Sequence, residues 1–196
     1  ENGITSDRVQ LTDVLRAGKG VQTKRPRTLA NVDNGAGGDP WTNPQYARRY
    51  DGRVADSLTL GTPGETTQEL HATNFNFKIP RGATITRVLL EIAGYNNASS
   101  TVINYQAQLT AGGAEQAFQF NTYDFATIAD VSTFADLWGA TLSPEIINAE
   151  NFGVKVWAES DNVLSTYHYI DYLTLTVEYT TATTGTTVLD VSGDVG

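Results

Sequence analysis

The chain has 196 residues, 40% of them hydrophobic, with 18 glycines, no cysteine and a formal net charge of -9; that is enough for one sizeable core and short for two average domains. The lack of cysteine excludes disulfides, thiolate nucleophiles, cysteine metal sites and thiol redox chemistry. No apolar run approaches the roughly 20 residues that span a bilayer, which predicts a soluble chain with no membrane partner.

Charge is polarised along the chain. Nine of the 13 Lys and Arg residues lie within residues 1–53 against six acids, so this segment carries +3 and the remainder -12. Residues 1–53 read as an extended basic arm. In "ITSDRVQLTDVL", Ile4, Val9, Leu11, Val14 and Leu15 are apolar anchors, and Arg25, Arg27, Arg48 and Arg49 are charge partners for another surface. The stretch "NVDNGAGGDPWTNPQ" is rich in turn formers. It leaves Trp41 either waiting for a partner surface or packed locally on its own subunit. The arm fits the acidic body of a neighbouring copy better than nucleic acid, because it holds no nucleic-acid motif or dense basic run and an acidic body repels phosphate. The chain starts at Glu1 and contains no methionine, which predicts that an initiator residue has been removed.

Residues 54–180 read as a β domain. Leu70 to Ile79 alternates with Phe75, Phe77 and Ile79 on one face, and Ile85 to Tyr95 with Val88, Leu90 and Ile92. "IPRGATI" joins these two runs through a Pro-x-Gly turn, which predicts antiparallel neighbours. Further strands are expected at Val102 to Thr110, Ala117 to Asn121, Phe152 to Ala158 and Tyr167 to Tyr179. One helical signal interrupts them. In "LSPEII", Ser143 is the N-cap, Pro144 suits the first helical position and Glu145 favours the positive end of the helix dipole. Trp138 anchors the loop before it and Phe152 opens the strand after it. About eight strands suit two packed antiparallel sheets, a jelly-roll-like all-β sandwich with one short helical turn. Residues 181–196 form a flexible tail in which Val188, Leu189 and Val191 follow a Thr-rich linker and make a second candidate exchange segment.

The segments "IPRGATITRVLLEI", "ADLWGATLSPEIINAENFGVKVWA" and "YIDYLTLTVEY" resemble a β-sandwich module of tailed-phage virion and tail-associated proteins, also seen in some bacterial surface proteins. The shared frame is a Trp-Gly, the "SPEIIN" turn, an Asn-Phe-Gly strand start and a final Asp-Tyr strand, over roughly Phe75 to Thr180. The resemblance implies a structural or adhesive role and no catalytic residues.

Enzyme chemistry finds no footing in the residues. His71 and His168 fall on separate strands, and His168 lies three residues before Asp171, a spacing that sends strand side chains to opposite faces. No clustered ligands suit zinc, and "GKG" lacks phosphate-loop spacing. No cofactor is expected. Asp171 shares parity with Leu173, Leu175 and Val177 and should point inward, where a carboxylate needs partners. These are either backbone N–H groups and the Trp138 indole, or calcium shared with Asp161 or Asp124; the missing DxDxDG pattern favours the former. Tyr167, Tyr169 and Tyr172 could form a sugar-stacking platform, or pack because aromatics fit a pleated surface.

The expected function is therefore a non-enzymatic assembly protein of a phage virion, in a tail, fibre or capsid-decorating position. Its partners would be other copies of itself, through arm or strand exchange, and other virion proteins. The alternatives are a secreted bacterial or archaeal filament subunit and a carbohydrate-binding adhesin module with a surface glycan as partner. All three place the chain on a virion or an extracellular surface.

Overall fold

Period-2 alternation sorts this chain into two sheets. The computed structural model describes the backbone of residues 18–35, 38–59, 61–97, 103–111, 114–120, 131–136, 138–160 and 165–182. These hold ten strands: β1 (Gly18–Lys24), β2 (Thr28–Val32), β3 (Ala55–Thr59), β4 (Glu69–Thr73), β5 (Thr84–Asn96), β6 (Ile103–Ala111), β7 (Ala114–Phe120), β8 (Val131–Asp136), β9 (Gly153–Ser160) and β10 (Thr166–Thr181). A 3-10 turn, Pro44–Ala47, and a short helix α1, Pro144–Asn148, complete them. In the first sheet β10 pairs β5, β5 pairs β8, and β1 and β3 share the free edge of β10; the second runs β2-β4-β9-β6-β7. Every pairing is antiparallel. The expected all-β, two-sheet sandwich is the observed fold.

The core lies between the sheets. Val88, Leu90, Ile92, Leu173, Leu175 and Val177 come from the first sheet, and Leu70, Ala72, Tyr105, Ala107, Leu109, Val154 and Val156 from the second. Removing this apolar surface from water, at roughly 25 cal/mol per Å², is the main force holding the layers together. Phe152 meets Phe77 edge-on, centroids 6.3 Å apart, and closes one end. The next residue must be small, since a Cβ at Gly153 would stand 2.0 Å from the Ala72 carbonyl oxygen. This accounts for the Asn-Phe-Gly strand start.

The corner at Trp138 folds as expected, with one change of partner. Trp138 and Gly139 take positive φ, 56° and 69°, and Ser143 caps α1 by accepting the Ile146 N–H at 3.3 Å. Trp138 is buried, but its indole N–H donates to the Val88 carbonyl at 3.0 Å rather than to Asp171.

Two further expectations are corrected. The run Leu70 to Ile79 is not one strand, because Asn74 and Asn76 adopt positive φ (58° and 56°) and end β4 at Thr73. Residues 74–83 instead cross from the second sheet to the first, so "IPRGATI" connects sheets and β4 and β5 are not neighbours. Phe75, Phe77 and Ile79 remain buried on the crossing. The second correction concerns the arm. Residues 18–32 build β1 and β2 of the sandwich itself, paired to β10 and β4, so the sandwich begins before Val54. β1 is an edge strand with mostly exposed side chains, and such a strand leaves no apolar alternation to read.

Trp41 packs locally. It is 2% exposed, its N–H donates to Asn31 Oδ1 at 2.7 Å and its indole N–H to the Gln68 carbonyl at 2.7 Å. Ile4, Val9, Leu11, Val14, Leu15, Val188, Leu189 and Val191 lie outside the described residues. No helix among the described residues is long and apolar enough to cross a membrane.

Candidate functional site

The free edge of β10 is shared by two strands that do not meet. β1 covers it up to Leu175, opposite Lys24, and β3 from Ile170, opposite Ala55. Between them the chain following the 3-10 turn closes the edge: Arg48 bridges Tyr172, and the Asp51 N–H donates to Asp171 Oδ1 at 3.2 Å. A β-bulge between Ile170 and Tyr172 turns this part of β10. The gap opens on the outer face as a groove of about 660 Å³, lined by Thr23, Lys24, Arg25, Tyr50, Glu91, Tyr172 and Thr174.

The groove is the polar end of an aromatic face. Because β10 and β5 alternate, Leu173, Leu175, Leu90 and Ile92 turn inward, while Tyr172, Thr174 and Glu91 turn outward. On the same outer face Tyr95 and Tyr169 stack with centroids 4.5 Å apart, and Tyr167 stacks on Tyr169 at 6.2 Å. Tyr50, 58% exposed, stands edge-on to Tyr172 at 5.7 Å. Burial raises the Tyr172 phenol above its ordinary value; Glu91 adds to this and Arg25 partly offsets it. The Tyr95 and Tyr169 phenols are raised for the same first cause. All three stay neutral hydrogen-bond donors at physiological pH. The exposed parts of Tyr50 and Tyr167 and the charged groups beside Tyr172 leave this face able to grip a flat, hydroxylated ligand.

A second recess of about 210 Å³ is formed by the same turn and the loop after it, lined by Gln45, Tyr46, Arg48, Arg49, Asp51 and Arg53. Arg53 lies over the Tyr46 ring, 5.6 Å from its centroid, and the Arg48 Nη2 group donates to the Arg27 carbonyl. Four arginines singled out in the sequence are thus found around one part of the surface: Arg25 at the groove, Arg48 and Arg49 at the recess, and Arg27 behind Arg48.

His168 and Asp171 are not arranged as an acid–base pair. His168 is fully buried, its Nε2 3.1 Å from Thr59 Oγ1 and its Nδ1 without a partner. Burial lowers its pKa to about 4, which keeps the ring neutral. Asp171 is 1% exposed and takes the Asp51 N–H on Oδ1, with Oδ2 unpartnered. His168 and Asp171 therefore form no dyad. The backbone N–H partner expected for Asp171 is present and comes from the loop after Arg48; Asp161 and Asp124 lie outside the described residues. Among the described residues no three His, Asp or Glu side chains are grouped to hold a metal.

The outer face of the second sheet carries a network that sequence reading missed. Lys155, 6% exposed, pairs with Glu69 at 2.9 Å, His71 Nε2 lies 2.7 Å from the other Glu69 oxygen, and Lys155 sits over Trp157 at 5.5 Å. Gln106 donates to Glu159 beside it. Burial alone would raise the Glu69 carboxyl, but hydrogen bonds from His71 and Lys155 outweigh it and hold the group below its usual value. Alternation in "ELHAT" and "VKVWAE" was the available signal: it puts Glu69, His71, Lys155, Trp157 and Glu159 on non-core faces, though not next to one another.

No family model matches the chain, and no curated protein matches it. Among solved structures it is similar to one described as "CBM4 structure and function", at 10% identity over 80% of this chain and 93% of that one, with a TM-score of 0.38. It is also similar to TmCBM61 in complex with beta-1,4-galactotriose, at 12% identity over 80% and 86% of the two chains, with a TM-score of 0.36. A third is the family 11 carbohydrate-binding module from Clostridium thermocellum in complex with a beta-1,3-1,4-mixed-linked tetrasaccharide, at 12% identity over 86% and 92%, with a TM-score of 0.34.

Proposed function

We propose that this protein is a non-catalytic carbohydrate-binding module that seats a glycan chain in the groove between Tyr50 and Tyr172. The observation that carries this reading is the pairing of those two rings on the outer face of a sheet, with Glu91, Thr174, Lys24 and Arg25 around them. A sugar ring presents C–H groups on its faces and hydroxyls around its rim. It therefore asks for an aromatic surface with donors and acceptors at the margin. Tyr50 and Tyr172 offer the first; Glu91 and the phenol hydroxyls offer the second. The stacked Tyr95, Tyr169 and Tyr167 continue the same face, which suits a chain longer than one sugar.

The site is preorganised. Tyr172 is held by the β10 ladder and by its bridge to Arg48, so little order is lost on binding. Titration calorimetry against neutral and acidic polysaccharides tests the reading. Saturable binding to at least one of them is expected, weakened tenfold or more in Tyr50→Ala and in Tyr172→Ala with the melting transition retained. Binding to none, or binding indifferent to both substitutions, refutes it.

The virion-assembly reading keeps its basis in the resemblance. The exchange segments it needs fall within residues 1–17 and 183–196, so it draws no support from the geometry described.

A further inference from the structure

We infer that the glycan this groove takes is acidic, carrying carboxylate or sulfate groups; the inference rests on the glycan-binding reading above. The groove and the adjoining recess together are lined by five cations, Lys24, Arg25, Arg48, Arg49 and Arg53, against two acids, Glu91 and Asp51. The chain as a whole carries -9. A positive patch on an acidic protein is a local feature and owes nothing to bulk charge.

These cations outnumber the acids beside them, and none is held in an ion pair among the described residues. The ion pairs among the described residues are His71–Glu69, Arg87–Glu178 and Lys155–Glu69, and none engages the five. The two acids beside them form no ion pair with them: Asp51 accepts the Arg53 backbone N–H on Oδ1 at 3.1 Å, and Glu91 lines the groove with Lys24 and Arg25. Like charges gathered without ion-pair partners repel one another, and an arriving anion relieves that repulsion. Guanidinium groups suit the task because they meet carboxylate or sulfate oxygens with paired N–H donors. Their position beside Tyr50 places anion recognition next to ring stacking, so one chain can satisfy both.

A nucleic acid is also a polyanion with flat rings. The glycan is favoured because the anion-binding part is confined to two loops on a body that is otherwise acidic and would repel a phosphate at every residue. A polysaccharide charged only at intervals, such as a largely methyl-esterified polygalacturonate or a sparsely sulfated galactan, escapes that repulsion.

The test uses the full chain and measures affinity for a largely methyl-esterified polygalacturonate, a sparsely sulfated galactan, neutral galactan and a single-stranded oligonucleotide at 50 and 500 mM salt. The expected result is at least tenfold tighter binding of an acidic polysaccharide than of galactan at low salt, with the gap narrowed at high salt. The esterified polygalacturonate, which carries only carboxylate, and the sulfated galactan, which carries only sulfate, identify the anion. In Arg49→Glu/Arg53→Glu the preference should fall to within about threefold of unity, with an unchanged melting transition. A preference that survives this double change, or galactan bound as tightly as the acidic polymers, overturns the inference and leaves the glycan-binding reading standing. Binding of the oligonucleotide with no polysaccharide bound overturns both.

Discussion

Tyr50 stands edge-on to Tyr172, ring centroids 5.7 Å apart and planes at 90°. The two rings differ in what holds them. Tyr172 is part of β10 and only partly exposed, whereas Tyr50 projects from the loop after the 3-10 turn with 58% of its surface in water. One ring is thus fixed by the sheet, and the other is presented by a loop whose backbone is tied down through Arg48 and Asp51.

This asymmetry separates binding from stability. Tyr50→Ala should cost less than about 1 kcal/mol of folding free energy, since an exposed edge-to-face contact is worth on the order of 1 kcal/mol. Tyr172→Ala should cost about 2 kcal/mol because it removes partly buried area. Urea denaturation of both variants checks the order, and an equal cost for both would show that the loop ring is structurally bound.

His168 predicts an acid-sensitive fold. Its folded pKa is lowered to about 4 from 6.5, so between those values the unfolded chain takes up a proton that the folded one refuses. Stability from this group is fully present above pH 6.5 and is lost as pH falls toward 4, by roughly 3 kcal/mol in total. His168→Gln should flatten the pH dependence of stability across that window relative to the parent chain, measured by denaturant unfolding at stepped pH. Parallel curves would remove His168 as the cause.

Asn148 ties α1 to the crossing segment. Its side chain accepts the Ile79 N–H and donates to the Ile79 carbonyl, both at 2.8 Å. Asn148→Ala leaves both backbone groups of a buried residue unmet and should destabilise the domain by about 2–3 kcal/mol. A loss below about 0.5 kcal/mol in urea unfolding would mean that water replaces the amide.

On the second sheet, Lys155→Met leaves the Glu69 carboxylate with His71 as its remaining partner in a nearly dry setting. The expected cost is about 3 kcal/mol at neutral pH. Glu69 has a depressed folded pKa, so its contribution is present above its ordinary value of 4.5 and disappears as pH falls through the lowered one. The variant's deficit should therefore shrink in acid. A deficit that stays constant even after the carboxyl is protonated would show that lost packing over Trp157, not charge, is responsible.

The sequence alone determined the elements whose neighbours are buried on one side. Val88, Leu90 and Ile92, and Leu173, Leu175 and Val177, announce β5 and β10 because water excludes alternate residues from one face. Ser143 and Pro144 announce α1 because capping is local chemistry. It also disclosed the basic bias of residues 1–53 and the tyrosines of β10. What it could not disclose was decided by partners distant in the chain. β1 is mostly exposed and β2 is only half-buried, with Leu29 against the core, so neither is patterned strongly and both are strands because β10 and β4 offer open edges. Trp41 is buried only because Asn31 and Gln68 meet it. The groove exists because β1 and β3 stop short of each other on β10, which brings Tyr50 to Tyr172 and sets Arg25 and Glu91 in the lining around them. That arrangement is a property of strand register, and register is settled when the two sheets pack and not before.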